Sequence, residues 1–356
     1  MQIAPLLKKL SEARGVSGYE AEVRGIVVEE LGRYADQVQT DKLGNVIALK
    51  KGQGEEPRRR IMLAGHIDEI GLMVTKLEKG FIHFTEVGGF DERVLLGQEV
   101  MVHGRRDLPG IIGSRPPHVL PPEEREKTIP MDKLFIDVGM GEEELARWVR
   151  VGDLVTLRRQ FTPLQGDLVA GKSFDDRASL AAILVCLEGL ASIKHTWDVY
   201  AVATVQEEVG LRGAITSAYG LAPDVAIAID VGFGDQPGVS EAETLKIGQG
   251  PAIGFGPNIH PRLHQALVEV AKELEIPYQV EPIPGRSGSD AWAIQVTQEG
   301  IPTALLSIPV RYMHTSVETL SLKDVERTGR LMAGFIGRLN EGFMERIIVD
   351  SGLVDS

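Results

Sequence analysis

Histidines and carboxylates are the residues of this sequence whose types and spacing could support metal chemistry. Most of them follow a short apolar segment, and neutral imidazole and carboxylate groups are usual ligands of zinc, cobalt and manganese. The single cysteine, Cys186, lies inside an apolar run, so the set lacks the thiolates that are typical of structural zinc sites. This composition indicates a catalytic metal site. The candidate ligands are His66, Asp175, Glu208, Asp230 and His314.

Two short motifs carry additional information because their residues are neighbours in the chain. His66 and Asp68 are two residues apart, so on an extended strand both side chains point to the same side. Asp68 can then accept the second ring N–H of His66 and fix the tautomer that offers the other nitrogen to a metal. Glu207 and Glu208 are adjacent, and burying both carboxylates is unfavourable unless a cation or a shared proton compensates them. Taken alone, each motif also fits a solvated surface.

The charges of the candidate ligands favour a centre with two divalent cations. Asp175, Glu208 and Asp230 supply three negative charges against the four positive charges of such a pair. A hydroxide shared by the cations would neutralise the centre. Glu207 would then be free to transfer a proton.

These side chains require a scaffold that brings distant parts of the chain together. Near-continuous apolar strands alternate with helical patterns, which predicts an α/β fold with a mixed sheet covered by helices on both faces. Ligands of open α/β sheets bind at the carboxyl ends of the strands, where most of the candidate residues lie. The predicted strands are 61–65, 199–205, 225–229 and 303–308, and the predicted helices lie near 179–190, 262–274 and 322–339.

The pattern changes between residues 71 and 163. Short alternating apolar runs separated by glycines predict a small β-rich domain, and the proline-rich, charged segment 115–130 predicts a long surface loop within it. We therefore predict a catalytic domain formed by residues 1–70 and 164–356, interrupted by the β-rich insertion 71–163.

The overall charge excludes two classes of partner. The sequence has 38 basic and 51 acidic side chains, a net charge of −13, and such a surface repels phosphate backbones and anionic lipid. Nucleic acid and membranes are therefore not expected as partners. The N-terminus lacks the features of a signal peptide, and no apolar run is long enough to span a membrane. These observations predict a cytoplasmic protein.

Five segments occur in an order and at spacings that resemble metallopeptidase family 42, the glutamyl, leucyl and deblocking aminopeptidases related to the tetrahedral TET particles. The resemblance extends over essentially the whole chain, including the β-rich insertion. Family members often have Ser-Pro after the last histidine, whereas this chain has Thr315 and Ser316. The segments are GHIDEIG at 65–71, DDR at 175–177, QEEVG at 206–210, IDVG at 229–232 and RYMHTSVE at 311–318.

The resemblance implies a role for each metal ligand. Asp175 would bridge two divalent ions, zinc in the first place and cobalt or manganese as alternatives. His66 and Asp230 would complete one metal site, and Glu208 and His314 the other.

The resemblance also implies roles around the metals. Glu207 would be the general base, and Asp68 would orient His66. A glycine-rich stretch resembles part of the family's substrate pocket, although a plain turn and helix cap explains it equally well. Its residues are Arg286, Gly288, Ser289 and Asp290.

On this basis we expect a zinc-exopeptidase-like aminopeptidase that removes N-terminal residues from short peptides. The insertion would be a PDZ-like domain acting in dimerisation or as a lid, and the protein a homo-oligomer, either a dimer or a dodecamer. The alternatives are another two-metal amidase (a carboxypeptidase or deacylase), a glycoside hydrolase, since some relatives are labelled endoglucanase, and a non-catalytic assembly protein.

Overall fold

The computed structural model describes residues 1–348, apart from the side chains of Glu124 and Ile348; residues 349–356, which the sequence analysis assigned to the catalytic domain, lie outside this part. The strands are β1 (Gln37–Thr40), β2 (Val46–Lys50), β3 (Arg60–His66), β4 (Gly71–Glu78), β5 (Phe81–Val87), β6 (Glu99–His103), β7 (Asp107–Gly113), β8 (Phe135–Asp137), β9 (Leu154–Leu157), β10 (Thr162–Pro163), β11 (Leu168–Gly171), β12 (Asp198–Thr204), β13 (Val225–Phe233), β14 (Ala252–Phe255), β15 (Gln279–Pro282), β16 (Thr303–Arg311) and β17 (Glu318–Ser321). The helices are α1 (Ile3–Glu12), α2 (Ala21–Leu31), α3 (Glu142–Trp148), α4 (Phe174–Gly189), α5 (Arg212–Leu221), α6 (Pro261–Glu273), α7 (Asp290–Ile294), α8 (Leu322–Ile336) and α9 (Phe343–Ile348).

The larger of the two sheets is mixed, with parallel strands at its centre. Strand β3 pairs in parallel with β12 and β13, and β13 pairs in parallel with β16. Antiparallel pairs with β2 and β17 continue the sheet on its two sides. The order is β1-β2-β12-β3-β13-β16-β17-β11-β10, and β14 pairs with both β16 and β15. The predicted mixed sheet is confirmed.

Helices cover both faces of this sheet, which explains why its central strands are apolar along their length. One face packs against α4, α6 and α8 in a core that includes Leu63 and Ile183. The other face packs against α5 and α7 in a core that includes Met62 and Ala218. Successive residues of β3 therefore point into different cores, as the alternation of side chains along a strand requires.

The parallel register brings the carboxyl ends of the central strands to one edge of the sheet. His66, the last residue of β3, lies opposite Thr204, the last residue of β12. Asp230 of β13 lies opposite Ser307 of β16. The loops that follow these strands therefore open at the same edge.

The strands between Gly71 and Leu157 form a closed barrel in the order β4-β5-β8-β7-β6-β9. Its interior is a separate apolar core that includes Val74, Val102 and Ile136. The predicted long loop joins β7 to β8 and contains three short 3-10 turns. No helix in the described part of the chain has the length and apolar character needed to cross a membrane.

Candidate metal centre

The five candidate ligands converge at the carboxyl edge of the central strands. His66 ends β3, and Asp230 lies near the end of β13. Glu208 lies in the loop after β12, and His314 in the loop between β16 and β17. Asp175 is the second residue of α4. The parallel sheet thus brings together residues that are widely separated in the sequence.

Asp175 lies between the two histidines. Its Oδ1 is 3.1 Å from Nε2 of His66, and its Oδ2 is 3.2 Å from Nε2 of His314. The same nitrogen of His314 is 3.5 Å from Oε1 of Glu208. One carboxylate thus presents its two oxygens to two separate groups of ligands.

Within residues 1–348, the ligand atoms form overlapping groups that could hold metal ions. His66, Asp175 and Asp230 form one group, and Asp175, Glu208 and His314 form another, with the ligand atoms of each group within 4.8 Å of one another. A further group joins His66 to Glu207 and Glu208. Because Asp175 belongs to the first two groups, the arrangement can accommodate two cations that share this carboxylate.

The carboxylates of the centre are electrostatically crowded. Burial raises the pKa of Glu207 to about 10, and the carboxylates of Asp230 and Asp290 contribute to this shift. Burial, together with the charge of Asp175, raises the pKa of Glu208 to about 7 and that of Asp230 well above its usual range. A cation held among these oxygens would offset both effects. The donor set therefore fits hard divalent cations.

Protonated histidines also stabilise the negative charge of these carboxylates. Burial opposes protonation of His314, but the neighbouring Asp175 and Glu208 raise its pKa to about 9. The pKa of His66 is raised well above its usual value, because Glu207 and Asp175 outweigh burial. Conversely, hydrogen bonds from His314 and His66 outweigh burial and hold the pKa of Asp175 below its usual range.

Asp68 lies beside His66, but the contact differs in detail from the predicted one. Nδ1 of His66 is 3.1 Å from the main-chain oxygen of Asp68 and 3.5 Å from its carboxylate. A carbonyl oxygen can only accept, so Nδ1 donates and Nε2 is left facing Asp175. The carboxylate of Asp68 instead accepts from the main-chain N–H groups of Glu207, at 3.0 Å, and Glu208, at 3.2 Å.

Backbone strain accompanies several of these residues. His314 adopts a left-handed conformation with φ of 60°, and Gln206, next to Glu207, has φ of 56°. Ser173, which precedes α4, has φ of 58°. Such conformations cost about 1 kcal/mol or more for residues other than glycine. Each of these conformations lies within two residues of a candidate ligand, or at the ligand itself in the case of His314.

Comparison with known proteins identifies the family. The family model described as M42 glutamyl aminopeptidase matches residues 44–331. The chain belongs to peptidase family M42. It is therefore a hydrolase of peptide bonds, and it has acidic and histidine groups that could bind metal.

Similar proteins match this M42 peptidase over nearly its whole length. A lysyl aminopeptidase of Pyrococcus furiosus is 39% identical over 94% of this chain and 96% of that protein. The crystal structure of a TET aminopeptidase from Thaumarchaeota archaeon SCGC AB-539-E09 has a TM-score of 0.92 at 39% identity, covering 97% of this chain and 98% of that one. The TET1 peptidase of Pyrococcus horikoshii, which can assemble into a tetrahedron or a large octahedral shell, has a TM-score of 0.83 at 33% identity, covering 95% and 100%.

Ser17 of the M42 peptidase has a role that the sequence did not reveal. Its position before Glu20 is typical of a capping box, but α2 begins at Ala21 and receives no side-chain cap. The Ser17 hydroxyl instead donates to the Asp68 carboxylate at 2.6 Å. It therefore helps to fix the residue that contacts His66, Glu207 and Glu208.

Two further carboxylates support the candidate ligands. Glu318 accepts from the main-chain N–H groups of Asp175, at 3.1 Å, and His314, at 3.0 Å. Burial and the charge of Asp175 raise the pKa of Glu318 to about 8. Asp176 accepts from the main-chain N–H of His66 at 3.1 Å. Glu318 belongs to the same sequence motif as His314, which is the signal by which it could have been found.

A buried ionic cluster supports the start of α4. Lys172 lies 2.5 Å from Oε2 of Glu69, and the Ser173 hydroxyl donates to the same oxygen. The guanidinium of Arg177 is 4.0 Å from the other oxygen of Glu69 and is fully buried. Glu69 thus holds the chain on both sides of Asp175.

The barrel reaches the centre through the turn after β5. A side chain at Gly88, where φ is +80°, would come within 2.7 Å of Ile70 and 3.5 Å of Glu208. A Cβ at Gly89 would lie 3.6 Å from Nδ1 of His314. The absence of a side chain at Gly88 leaves the space that Ile70 occupies, and the turn lies beside the candidate ligands Glu208 and His314.

The centre opens into a cavity of about 580 Å³. Arg286, Gly288 and Ser289, predicted as substrate contacts, line this cavity with the candidate ligands. Asp290, grouped with them in the prediction, is placed differently: it is 2% exposed and accepts from the Thr204 hydroxyl at 2.5 Å. As the first residue of α7, it points toward the end of β12 and lies behind the cavity wall.

Proposed function

We propose that this chain is a two-metal aminopeptidase that removes N-terminal residues from short peptides. The observation that supports it most directly is the placement of Asp175, whose two oxygens face His66 at 3.1 Å and His314 at 3.2 Å. The aminopeptidase names of its M42 relatives support the same activity.

In this proposal Asp175 would be shared by two divalent ions. His66 and Asp230 would complete one site, and Glu208 and His314 the other. Zinc is the first choice, with cobalt or manganese as alternatives, because the ligands are imidazoles and carboxylates. Bound ions would lower the pKa of a water molecule and polarise the scissile carbonyl.

Glu207 is proposed as the general base. Its Oε2 lies 3.8 Å from Nε2 of His66, and its side chain lines the cavity beside the ligands. The carboxylate accepts a proton from the attacking water and delivers it to the nitrogen of the leaving amine. Asp68 holds His66 through its main-chain oxygen and holds the Glu207 backbone through its carboxylate.

The remaining elements have supporting roles in the proposal. Residues 1–70 and 164–356 form the catalytic domain, and the segment 71–163 is a PDZ-like domain that mediates dimerisation or covers the site. The protein acts in the cytoplasm as a dimer or dodecamer, without nucleic acid or membrane partners. The assembly of the similar TET1 peptidase supports the oligomer.

A panel of aminoacyl chromogenic substrates tests this proposal. Hydrolysis should stop in chelator and return with zinc, cobalt or manganese. Faster cleavage of N-blocked substrates than of free-amine substrates would support a deacylase or carboxypeptidase instead. Full polysaccharide hydrolysis in chelator would support a glycoside hydrolase, which generally uses two carboxylates without metal.

A further inference from the structure

The cavity contains a carboxylate that the proposed chemistry does not use. Glu281, on β15, lines the cavity together with His66 and Asp230. It accepts a hydrogen bond from the Ser307 hydroxyl at 2.5 Å. Ser307 is buried at 1% exposure, so this hydrogen bond holds the carboxylate against the sheet.

The sequence of β13 leaves space for this carboxylate. Gly232 follows Asp230 by two residues, so both positions face the same side of the sheet, about 7 Å apart. A Cβ at Gly232 would lie 3.4 Å from Oε1 of Glu281 and 3.1 Å from Cβ of Ser307. Glu281 therefore lies beside Gly232, the next position after the candidate ligand Asp230 on this side of the sheet. A long substrate side chain can span that distance.

The negative charge of Glu281 has no cationic partner among residues 1–348. Burial raises the pKa of Glu281, and only the hydrogen bond from Ser307 opposes the shift. A cation that entered the cavity would stabilise the ionised carboxylate. The cavity lining also includes Leu305, which lies two residues before Ser307 on the same side of β16 and suits contact with an aliphatic stem.

The cavity is also lined by a cationic side chain, Arg286, but its position is less favourable than that of Glu281 for selecting a substrate. Its side chain is exposed, and its guanidinium lies over the ring of Trp292, 5.4 Å from the ring centre. Water screens an exposed charge, so Arg286 should contribute less than a partly buried carboxylate.

We propose that Glu281 selects peptides whose N-terminal residue is lysine or arginine, an inference that rests on the proposed aminopeptidase function. The aliphatic stem of such a residue packs along the apolar wall, and its cationic end pairs with Glu281. Glu281 is thus a determinant of specificity.

The test compares lysyl, norleucyl and glutamyl p-nitroanilides on the metal-loaded enzyme. Norleucine matches the lysine stem without its charge. For the wild-type enzyme, kcat/KM should be at least about tenfold higher for the lysyl than for the norleucyl substrate. Glu281→Gln should remove most of this difference, mainly by raising KM for the lysyl substrate. The Gln side chain can still accept the hydrogen bond from Ser307. The midpoint of denaturant unfolding checks that the variant is folded. Glu281→Met is a second variant without the charge. Glu299→Gln, at an exposed glutamate outside the cavity, should keep the wild-type ratio.

The outcomes separate this inference from the function on which it rests. An unchanged ratio in Glu281→Gln and Glu281→Met would overturn the inference while leaving an aminopeptidase. A preference for the glutamyl substrate that Arg286→Gln removes would also overturn it. If the metal-loaded enzyme hydrolysed none of the three substrates nor any other aminoacyl substrate, both the proposed function and the inference would be overturned.

Discussion

Asp175 is the residue on which both proposed metal positions depend, because each of its oxygens faces a different histidine. Asp175→Ala should therefore weaken binding at both positions, whereas Asp230→Asn should weaken only the position shared with His66. Metal content after dialysis, measured by elemental analysis, checks this difference. Equal metal loss in the two variants would contradict the bridging role.

Glu207 and Glu208 are adjacent but are proposed to act differently. Glu207→Gln should retain both metals and lower kcat roughly 100- to 10,000-fold, because the proton acceptor is lost. The matched control, Glu208→Gln, should lower the metal content as well. Normal peptide hydrolysis by Glu207→Gln would remove its assignment as the base.

Single residues were predictable from the sequence where they belong to a local motif. His66, Asp230 and Glu208 could be proposed because each follows an apolar strand, and parallel strands end at one edge. Ser17 could not be proposed, because its hydroxyl acts on Asp68, 51 residues away. The contact between Glu318 and the main chain of Asp175 spans 143 residues and has no local pattern.

At the scale of elements, the start of α4 depends on the buried cluster around Glu69. Glu69→Gln should destabilise the protein by about 3 kcal/mol, because it removes the carboxylate that pairs with the buried Lys172 and Arg177. Denaturant unfolding of the metal-free protein measures this. Glu78→Gln, which removes an exposed ion pair with Lys76, serves as the control and should cause no measurable change. Equal stability of the two variants would show that Glu69 is dispensable for the fold.

Most elements were predictable because their apolar patterns are continuous. The strands near 61–65 and 225–229 are present in β3 and β13 because burial on both faces leaves no polar positions to obscure the pattern. Helix α4 is assigned from Phe174, but Asp175 and Asp176 have non-helical φ and ψ angles, so its regular part starts after Asp176, close to the predicted start near residue 179. Tertiary hydrogen bonds hold these two residues outside helical geometry, with Asp175 donating to Glu318 and Asp176 accepting from His66. The capping-box pattern at Ser17 does precede a helix, α2, but the Ser17 hydroxyl donates to the tertiary partner Asp68 and does not cap the helix.

At the scale of the whole molecule, Cys186 reports on global unfolding. The thiol is fully buried in α4, and burial raises its pKa, so both access and thiolate formation are suppressed. Thiol reagents at pH 8 should label it only at the rate of unfolding. Added zinc should slow labelling further, because ligands that bind the native state stabilise it. Rapid labelling of the native protein, or a labelling rate that zinc does not change, would contradict this expectation.

The contact of Gly88 and Gly89 with Glu208 and His314 has a consequence for how this enzyme could be shortened or regulated. The barrel forms part of the wall beside these ligands, so excising it would expose their imidazole and carboxylate groups to bulk water on that side. For the same reason, a force that a neighbouring subunit exerted on the barrel would reach the candidate ligands through the turn at Gly88 and Gly89, which lies beside them.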